Sequence, residues 1–269
     1  MGRQRVSPHG RRAEAGFLTV SSAPSPVATD SARAAHGAGP AARLSLARRA
    51  VAEAVGTGLL VAAVVGSGIM GERLAGGNVG LALLANTAAT GAALLALIAG
   101  LGPLSGAHFN PVVTLADGFG GDLAWGDVPA YIVAQVTGGL LGTAVANLMF
   151  EGPVFSWSRH ARAGPAQLFS EVVATFGLLL IIGTCARRRA NAIPFAVAAY
   201  ITAAYWFTAS TSFANPAVTV ARAVSDSFAG IRPGDVPGFV VAQLVGGALA
   251  VGLVRWLLPR SADTGPHRR

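Results

Sequence analysis

The sequence predicts an all-α membrane protein with six transmembrane helices and two re-entrant half-helices, arranged as an inverted repeat. Three observations lead there. Charged residues make up only 12% of the 269 residues against 52% hydrophobic, and the mean hydropathy is +0.55. Six apolar stretches each reach the ~20 residues that a helix needs to cross a bilayer. The two halves of the chain also repeat one another. Soluble domains carry about 25% charged residues, so the composition excludes an ordinary cytosolic enzyme. It equally excludes disorder over most of the length, which needs low hydrophobicity and high charge.

Residues 1–42 read as a disordered cytoplasmic tail rich in Ser, Pro, Ala, Gly and Arg. Their longest apolar run, Gly16–Val20, falls short of the ~7–15 residues of a signal-peptide core. A channel-like domain is expected over 43–260, its halves at about 45–150 and 165–258, with a short tail at 261–269. The spans are expected at Ala50–Met70, Val79–Leu101, Val128–Phe150, Gln167–Ala186, Asn191–Ser210 and Val236–Leu258. These runs are too long for strands and do not alternate, which argues against a membrane β-barrel.

All twenty basic residues are arginine, and the net charge is +8. With the N-terminus inside, fifteen arginines fall on the cytoplasmic side: in the N-terminal segment, at Arg187–Arg189 and in the C-terminal segment. The other five are Arg73, Arg159, Arg162, Arg222 and Arg232. This positive-inside bias predicts a multi-pass protein of the plasma or inner membrane with both termini cytoplasmic. The basic charge is then a topology signal, and no nucleic-acid partner is expected. The single cysteine, Cys185, can form neither an intrachain disulfide nor a metal cluster.

The repeat is explicit. Asp127–Leu141 and Asp235–Leu249 are identical at nine of fifteen positions, and Glu53-Ala54-Val55-Gly56-Thr57 echoes Glu171-Val172-Val173-Ala174-Thr175. Three spans per half is an odd number, so the second half enters the membrane inverted. Two short segments, Ser105–Ala116 and Ser210–Ala221, lie at equivalent places after the second and fifth spans. Each contains Asn-Pro-x-Val-Thr-x-Ala, beginning at Asn110 and Asn215. Asn is a favoured N-cap, and Pro suits the first helical position because its missing N–H costs nothing there. Half-helices at membrane depth must be buried in protein or line a watery cavity. Two of them meeting near the midplane would present two partial positive charges and two asparagine amides to the lumen, which passes neutral solutes and repels cations.

These motifs resemble the aquaporin family of major intrinsic proteins, over about residues 45–258. The family's paired Asn-Pro-Ala motifs correspond to Asn110-Pro111-Val112 and Asn215-Pro216-Ala217, the first departing at its third residue. That valine is expected to loosen or shift the junction between the half-helices. Glu53 and Glu171 match the family's paired membrane glutamates and are expected to anchor the re-entrant loops. Gln135 and Gln243 form a second symmetric pair, for helix packing or loop anchoring. The resemblance implies a homotetramer with one pore per subunit and no cofactor.

It also implies a four-residue selectivity filter. Carried over without gaps from the asparagines, its positions are Thr90, Ala203, Ser212 and Val218, the last replacing the usual arginine. Arg222 lies one turn beyond Val218, where it caps its half-helix, faces the vestibule or reaches toward the pore. Four small residues would make a wide aperture with two hydroxyls and no fixed charge, open to glycerol, urea and undissociated arsenious or boric acid. The valine resembles a bacterial subgroup whose members accompany arsenic-resistance genes. Tyr205, Trp206 and Phe207 read as packing or interface residues, with a contribution to the lining left open for Tyr205. His108 is either a pH-sensitive gate or a loop-structuring hydrogen-bonding group.

The expectation is a passive channel for small uncharged solutes in a lipid bilayer, with a water-selective pore as the alternative. A coupled secondary transporter would need an ionisable residue facing the central site. The motif regions offer only Asp117 and Arg222, both beyond the asparagines. An enzyme is not expected, since no paired carboxylates, Ser/His/Asp arrangement or Cys/His metal cluster occurs at one depth.

Overall fold

The computed structural model describes Gly2 and residues 44–259. The tails expected at 1–42 and 261–269 lie outside the described residues, apart from Gly2. Among the described residues there are eight α-helices: α1 Leu46–Leu74, α2 Val79–Ser105, α3 Pro111–Gly120, α4 Val128–Met149, α5 Pro165–Arg188, α6 Ile193–Phe207, α7 Pro216–Arg222 and α8 Val236–Leu257. All but α3 and α7 belong to segments long and apolar enough to cross a membrane. The expected fold class is borne out.

Helix ends follow local chemistry. The Asn78 side chain accepts from the Leu81 N–H and starts α2, which runs on to Ser105 and stops at Gly106, a left-handed C-cap at φ 95°. A 3₁₀ turn, Ala190–Ala192, precedes α6. α6 ends at Phe207, earlier than the expected Ser210, because Thr208 already has extended backbone.

The halves pack alike: α1 lies on α4 and α5 on α8, while α2 lies against α6. The α1–α4 and α5–α8 crossings are close. A Cβ at Gly138 would overlap the Ala54 carbonyl, and one at the equivalent Gly246 would overlap the Val172 carbonyl. With no hydrophobic drive between helices in lipid, such small residues let backbones approach and gain dispersion contacts. The half-helices α3 and α7 are enclosed by these pairs, and their buried residues join α1, α2, α5 and α6 in the main apolar core.

Candidate functional site

The segments leading into α3 and α7 are folded alike and tightly. Ala107 and Phe109 have φ of 49° and 48°; Thr211, Ser212 and Ala214 have 60°, 53° and 48°. Non-glycine residues in this left-handed region cost free energy and persist only where the surroundings hold them. Here two buried glutamates do so. Glu53 Oε1 accepts from the Ser105 hydroxyl (2.6 Å) and the His108 N–H (3.0 Å); Oε2 accepts from the Phe109 N–H (2.7 Å) and Gln135 Nε2 (2.8 Å). Glu171 repeats the pattern with the Ser210 hydroxyl, the Phe213 and Ala214 N–H groups and Gln243 Nε2, at 2.6 to 2.9 Å. Gln135 and Gln243 donate onward to Thr114 Oγ1 and Thr219 Oγ1, both at 2.9 Å. Each glutamine therefore ties its loop to its half-helix.

Both half-helices start as the sequence requires. Asn110 Oδ1 accepts from the Val112 N–H; Asn215 Oδ1 accepts from the Ala217 and Val218 N–H groups, with Pro111 and Pro216 opening the helices. The amides do more than face a lumen. Asn110 Nδ2 donates to the Ala214 carbonyl and Asn215 Nδ2 to the Phe109 carbonyl, each at 2.7 Å. An amide NH₂ has two hydrogens. One crosses to the opposite loop and the other is left for the cavity that both asparagines line.

That cavity has a volume of about 160 Å³ and is bordered by α1, α2, α5, α6, both loops and both half-helices. One water needs only ~10–15 Å³ of such space, so the cavity has room for several small molecules. Its wall is mainly apolar, with Leu60, Val64, Leu94, Ile98 and Ile201 beside the asparagines. One end carries His108 and Asp117, the other Thr90, Tyr205, Ser212, Val218 and Arg222.

The structure brings three of the four expected filter residues to that second end and corrects the rest of the expectation. Thr90, Ser212 and Val218 are buried in the wall, but Ala203 is exposed on the outer face of α6. The cavity-facing residues of α6 are Val197, Ile201 and Tyr205. Ala203 sits two residues before Tyr205, about 200° round the helix. Tyr205 is therefore a wall residue, its hydroxyl 3.2 Å from Thr90 Oγ1.

The wall also carries a fixed charge, at Arg222, one of the placements the sequence left open for that side chain. Arg222 is only 2% exposed and borders the cavity. Its Nε donates to the Ala229 carbonyl, and its Cζ stands 3.4 Å from the Phe213 ring centroid. Behind it, Arg162 donates from Nε to Gly230 O (2.8 Å), from Nη1 to Ser210 O (3.3 Å) and from Nη2 to Phe228 O (3.4 Å). Burial lowers the Arg162 guanidinium to about 10, which leaves it cationic at neutral pH.

Val112, expected to loosen or shift the junction, packs against the last spanning helix. It is 4% exposed and its side chain enters a notch in α8, where a Cβ at Gly247 would overlap Val112 Cγ1. His108 has both ring nitrogens engaged, Nδ1 with Thr114 Oγ1 (3.1 Å) and Nε2 with Asp117 (2.9 Å), and its ring packs on Tyr131. It structures the loop end of α3.

Reasoning from the sequence missed Thr114, Thr219, Ser105 and Ser210. The four hydroxyl residues carried a signal, because each recurs at the same place in both halves of the repeat. The ungapped register on α6 gives the filter position to Ala203, with Tyr205 as a candidate lining residue.

Six spans, two opposed half-helices and one cavity passing both N-termini define a helical membrane protein built around a transverse pathway. The chain belongs to the major intrinsic protein family, whose matches cover residues 41–200 and 185–268. It is 58% identical over 213 residues to aquaglyceroporin AqpS of Rhizobium meliloti, covering 79% of this chain and 91% of that protein. It is 28% identical over 227 residues to aquaporin Z of Bradyrhizobium diazoefficiens, covering 78% and 93%. The fold matches the X-ray structure of the aquaglyceroporin from Plasmodium falciparum with a TM-score of 0.59 at 21% identity, over 80% of this chain and 98% of that one.

Proposed function

We propose that the protein is a passive pore for glycerol and other small uncharged solutes, with water following the same path. The observation that carries this reading is the meeting of Asn110 and Asn215, each capping an opposed half-helix, inside one mainly apolar cavity. Two helix N-termini disfavour cations at that depth, and each asparagine keeps an amide hydrogen for a passing hydroxyl. The likeness to a protein named aquaglyceroporin over most of both chains supports glycerol among the solutes.

In this reading Thr90, Ser212 and Val218, with Tyr205 in place of Ala203, form the constriction. Valine where the family usually has arginine favours solutes larger than water, including undissociated metalloid acids such as arsenious acid. Asn110-Pro111-Val112 and Asn215-Pro216-Ala217 are the pore motifs, with Glu53 and Glu171 as loop anchors. The Arg222 end faces outward and the Asp117 end faces the cytoplasm, as the arginine bias directs. The channel domain spans about 43–260, needs no cofactor and catalyses no reaction. It works as a homotetramer in the plasma or inner membrane.

Stopped-flow light scattering on proteoliposomes tests the reading, with parallel gradients of water, glycerol and arsenious acid. Solute entry well above that of empty vesicles is expected. Fast water flux without solute entry would replace it with a water-selective pore.

A further inference from the structure

The outer face between α3 and α8 carries an apolar groove that the pore does not use. Its volume is about 300 Å³, and its wall is Val112, Leu115 and Phe119 on α3 with Leu244, Ala248 and Val251 on α8. Phe119 and Leu244 are 59% and 40% exposed, so the groove opens on the outside of the helix bundle. A glycine gives it depth: a Cβ at Gly252 would meet nothing within 4 Å. The wall has one charged side chain, Arg255, near the end of α8.

Its direction and length identify what surrounds it. Arg187, the first of three arginines at the end of α5, donates to the Val254 and Leu258 carbonyls. Arg255 therefore lies on the arginine-rich face, which the positive-inside bias makes cytoplasmic. Trp256 beside it is 78% exposed, and the exposed Trp125 meets Phe119 edge-on. Tryptophans at such places mark the boundary between hydrocarbon and headgroups. From Leu244 to Arg255 is eleven residues of α8, about 16 Å of rise. That is half of a hydrocarbon core of ~30 Å. The groove runs through one leaflet, from Val112 near the midplane to Arg255 at headgroup level.

We propose that this groove binds one acyl chain of an anionic phospholipid, with the lipid phosphate on Arg255. The apolar wall suits the chain, and a guanidinium matches phosphate through its planar fork. Arg255 Nη2 donates to the Phe119 carbonyl, which holds the guanidinium over the mouth of the groove. A guanidinium has five N–H donors, so that bond does not exhaust it. A second chamber beside Arg255 is bordered by Asp117, Asp122 and Arg187, and Asp117 pairs with His108. Arg187, Arg188, Arg189 and Arg255 outnumber these two carboxylates, and such a basic surface attracts anionic headgroups. The chain lies against α3, the half-helix that Asn110 caps, and its tip reaches Val112. A bound lipid thus backs the first pore motif from outside. The proposal needs the membrane-spanning fold and holds for any solute.

The test reconstitutes the full-length protein in phosphatidylcholine vesicles containing a trace of photoactivatable lipid. The probe carries a diazirine in its acyl chain and has either a phosphatidylglycerol or a phosphatidylcholine headgroup, in separate samples. Labelled residues are mapped by mass spectrometry. In wild type, residues 112–119 and 244–255 are expected to take about threefold more label, or better, from the phosphatidylglycerol probe. Arg255→Gln is expected to bring that ratio to about one, since the headgroup contact is lost while the groove remains. Gly252→Leu places a side chain in the groove and is expected to reduce labelling there from both probes. Labelling of the exposed Val133 and Leu141 on α4 at the wild-type level shows that each variant is inserted and folded. Equal labelling of the wild-type groove by both probes would overturn the proposal and leave only ordinary boundary lipid. A ratio unchanged in Arg255→Gln would overturn it too. An unlabelled groove beside a labelled α4 would overturn it and give this face to a second copy of the chain.

Discussion

Asn110 and Asn215 bind each other's loops. Asn110 Nδ2 donates to the Ala214 carbonyl and Asn215 Nδ2 to the Phe109 carbonyl, both at 2.7 Å, so the two halves of the repeat are latched at the point where their half-helices meet. Each asparagine also caps its own helix. Asn215→Ala therefore removes a cap, at a cost of about 1 kcal/mol. It also strands the buried Phe109 carbonyl, at roughly 1–3 kcal/mol. A fall in thermal unfolding temperature in detergent is expected, matched by Asn110→Ala. A stability equal to wild type in both would show that the latch carries no energy.

The glutamates Glu53 and Glu171 give the second prediction. Each accepts four hydrogen bonds at 0% exposure, two of them from N–H groups of a strained loop. A glutamine there would turn an NH₂ toward donors. Hydrogen bonds to charged groups are worth about 1.5–3 kcal/mol each, so Glu53→Gln or Glu171→Gln should cost about 3 kcal/mol or more. Because the two sites are related by the repeat, the losses should be similar. Tryptophan fluorescence during thermal unfolding measures both.

The span number, the inverted repeat, the half-helix starts and the symmetric Glu and Gln pairs were legible because each is a local pattern written twice. Asn-Pro before an apolar run encodes a cap and a first turn without reference to the rest of the chain. The constriction was less legible. Which face of α6 turns inward depends on its rotation against α2, and a shift of two residues exchanges Ala203 for Tyr205. The reach of Arg222 depends on a carbonyl seven residues later, at Ala229, and on the Phe213 ring. The accommodation of Val112 depends on Gly247, on the last spanning helix.

The rotation of α6 gives the third prediction. Tyr205 faces the cavity and Ala203 faces outward. Tyr205→Ala should raise glycerol flux, and Val218→Arg should lower it while sparing water. Ala203→Leu should leave both unchanged. Stopped-flow rates normalised to reconstituted protein check all three. A glycerol rate altered by Ala203→Leu and untouched by Tyr205→Ala would mean that α6 is turned the other way.

The loop over the Arg222 end gives a fourth prediction, a local response to acid. Asp226 accepts from the Arg159 N–H (2.9 Å) and Nε (2.8 Å), and the backbone bond first, then the side-chain bond, hold its carboxyl below the usual range. A depressed carboxylate contributes stability that is complete above its unfolded value of ~3.9 and is lost as pH falls through the folded value. Hydrogen exchange at the Arg159 amide should therefore accelerate below about pH 4 beyond its intrinsic rate. Asp226→Asn should show the faster exchange at every pH. The backbone bonds from Ser156 N–H to Val224 O and from Ser158 N–H to Ala223 O keep the loop in place, so the change should stay local.

Val112 and Gly247 are a lock and its notch. Gly247 has no Cβ, and the space that one would take is filled by Val112 Cγ1. Gly247→Ala alone forces two buried groups together, and overpacking of this kind costs about 1–3 kcal/mol. Val112→Ala alone empties the notch and loses two methyl groups, about 1.5 kcal/mol at ~0.8 each. Made together, the substitutions exchange one filler for another, since the alanine methyl at 247 enters the space that the valine vacates. The double variant should therefore be more stable than the sum of the two losses predicts, by a coupling of about 0.5–3 kcal/mol. Unfolding of the four proteins in one detergent measures it. Strict additivity would mean that Val112 and Gly247 do not share this space, and the lock would be absent.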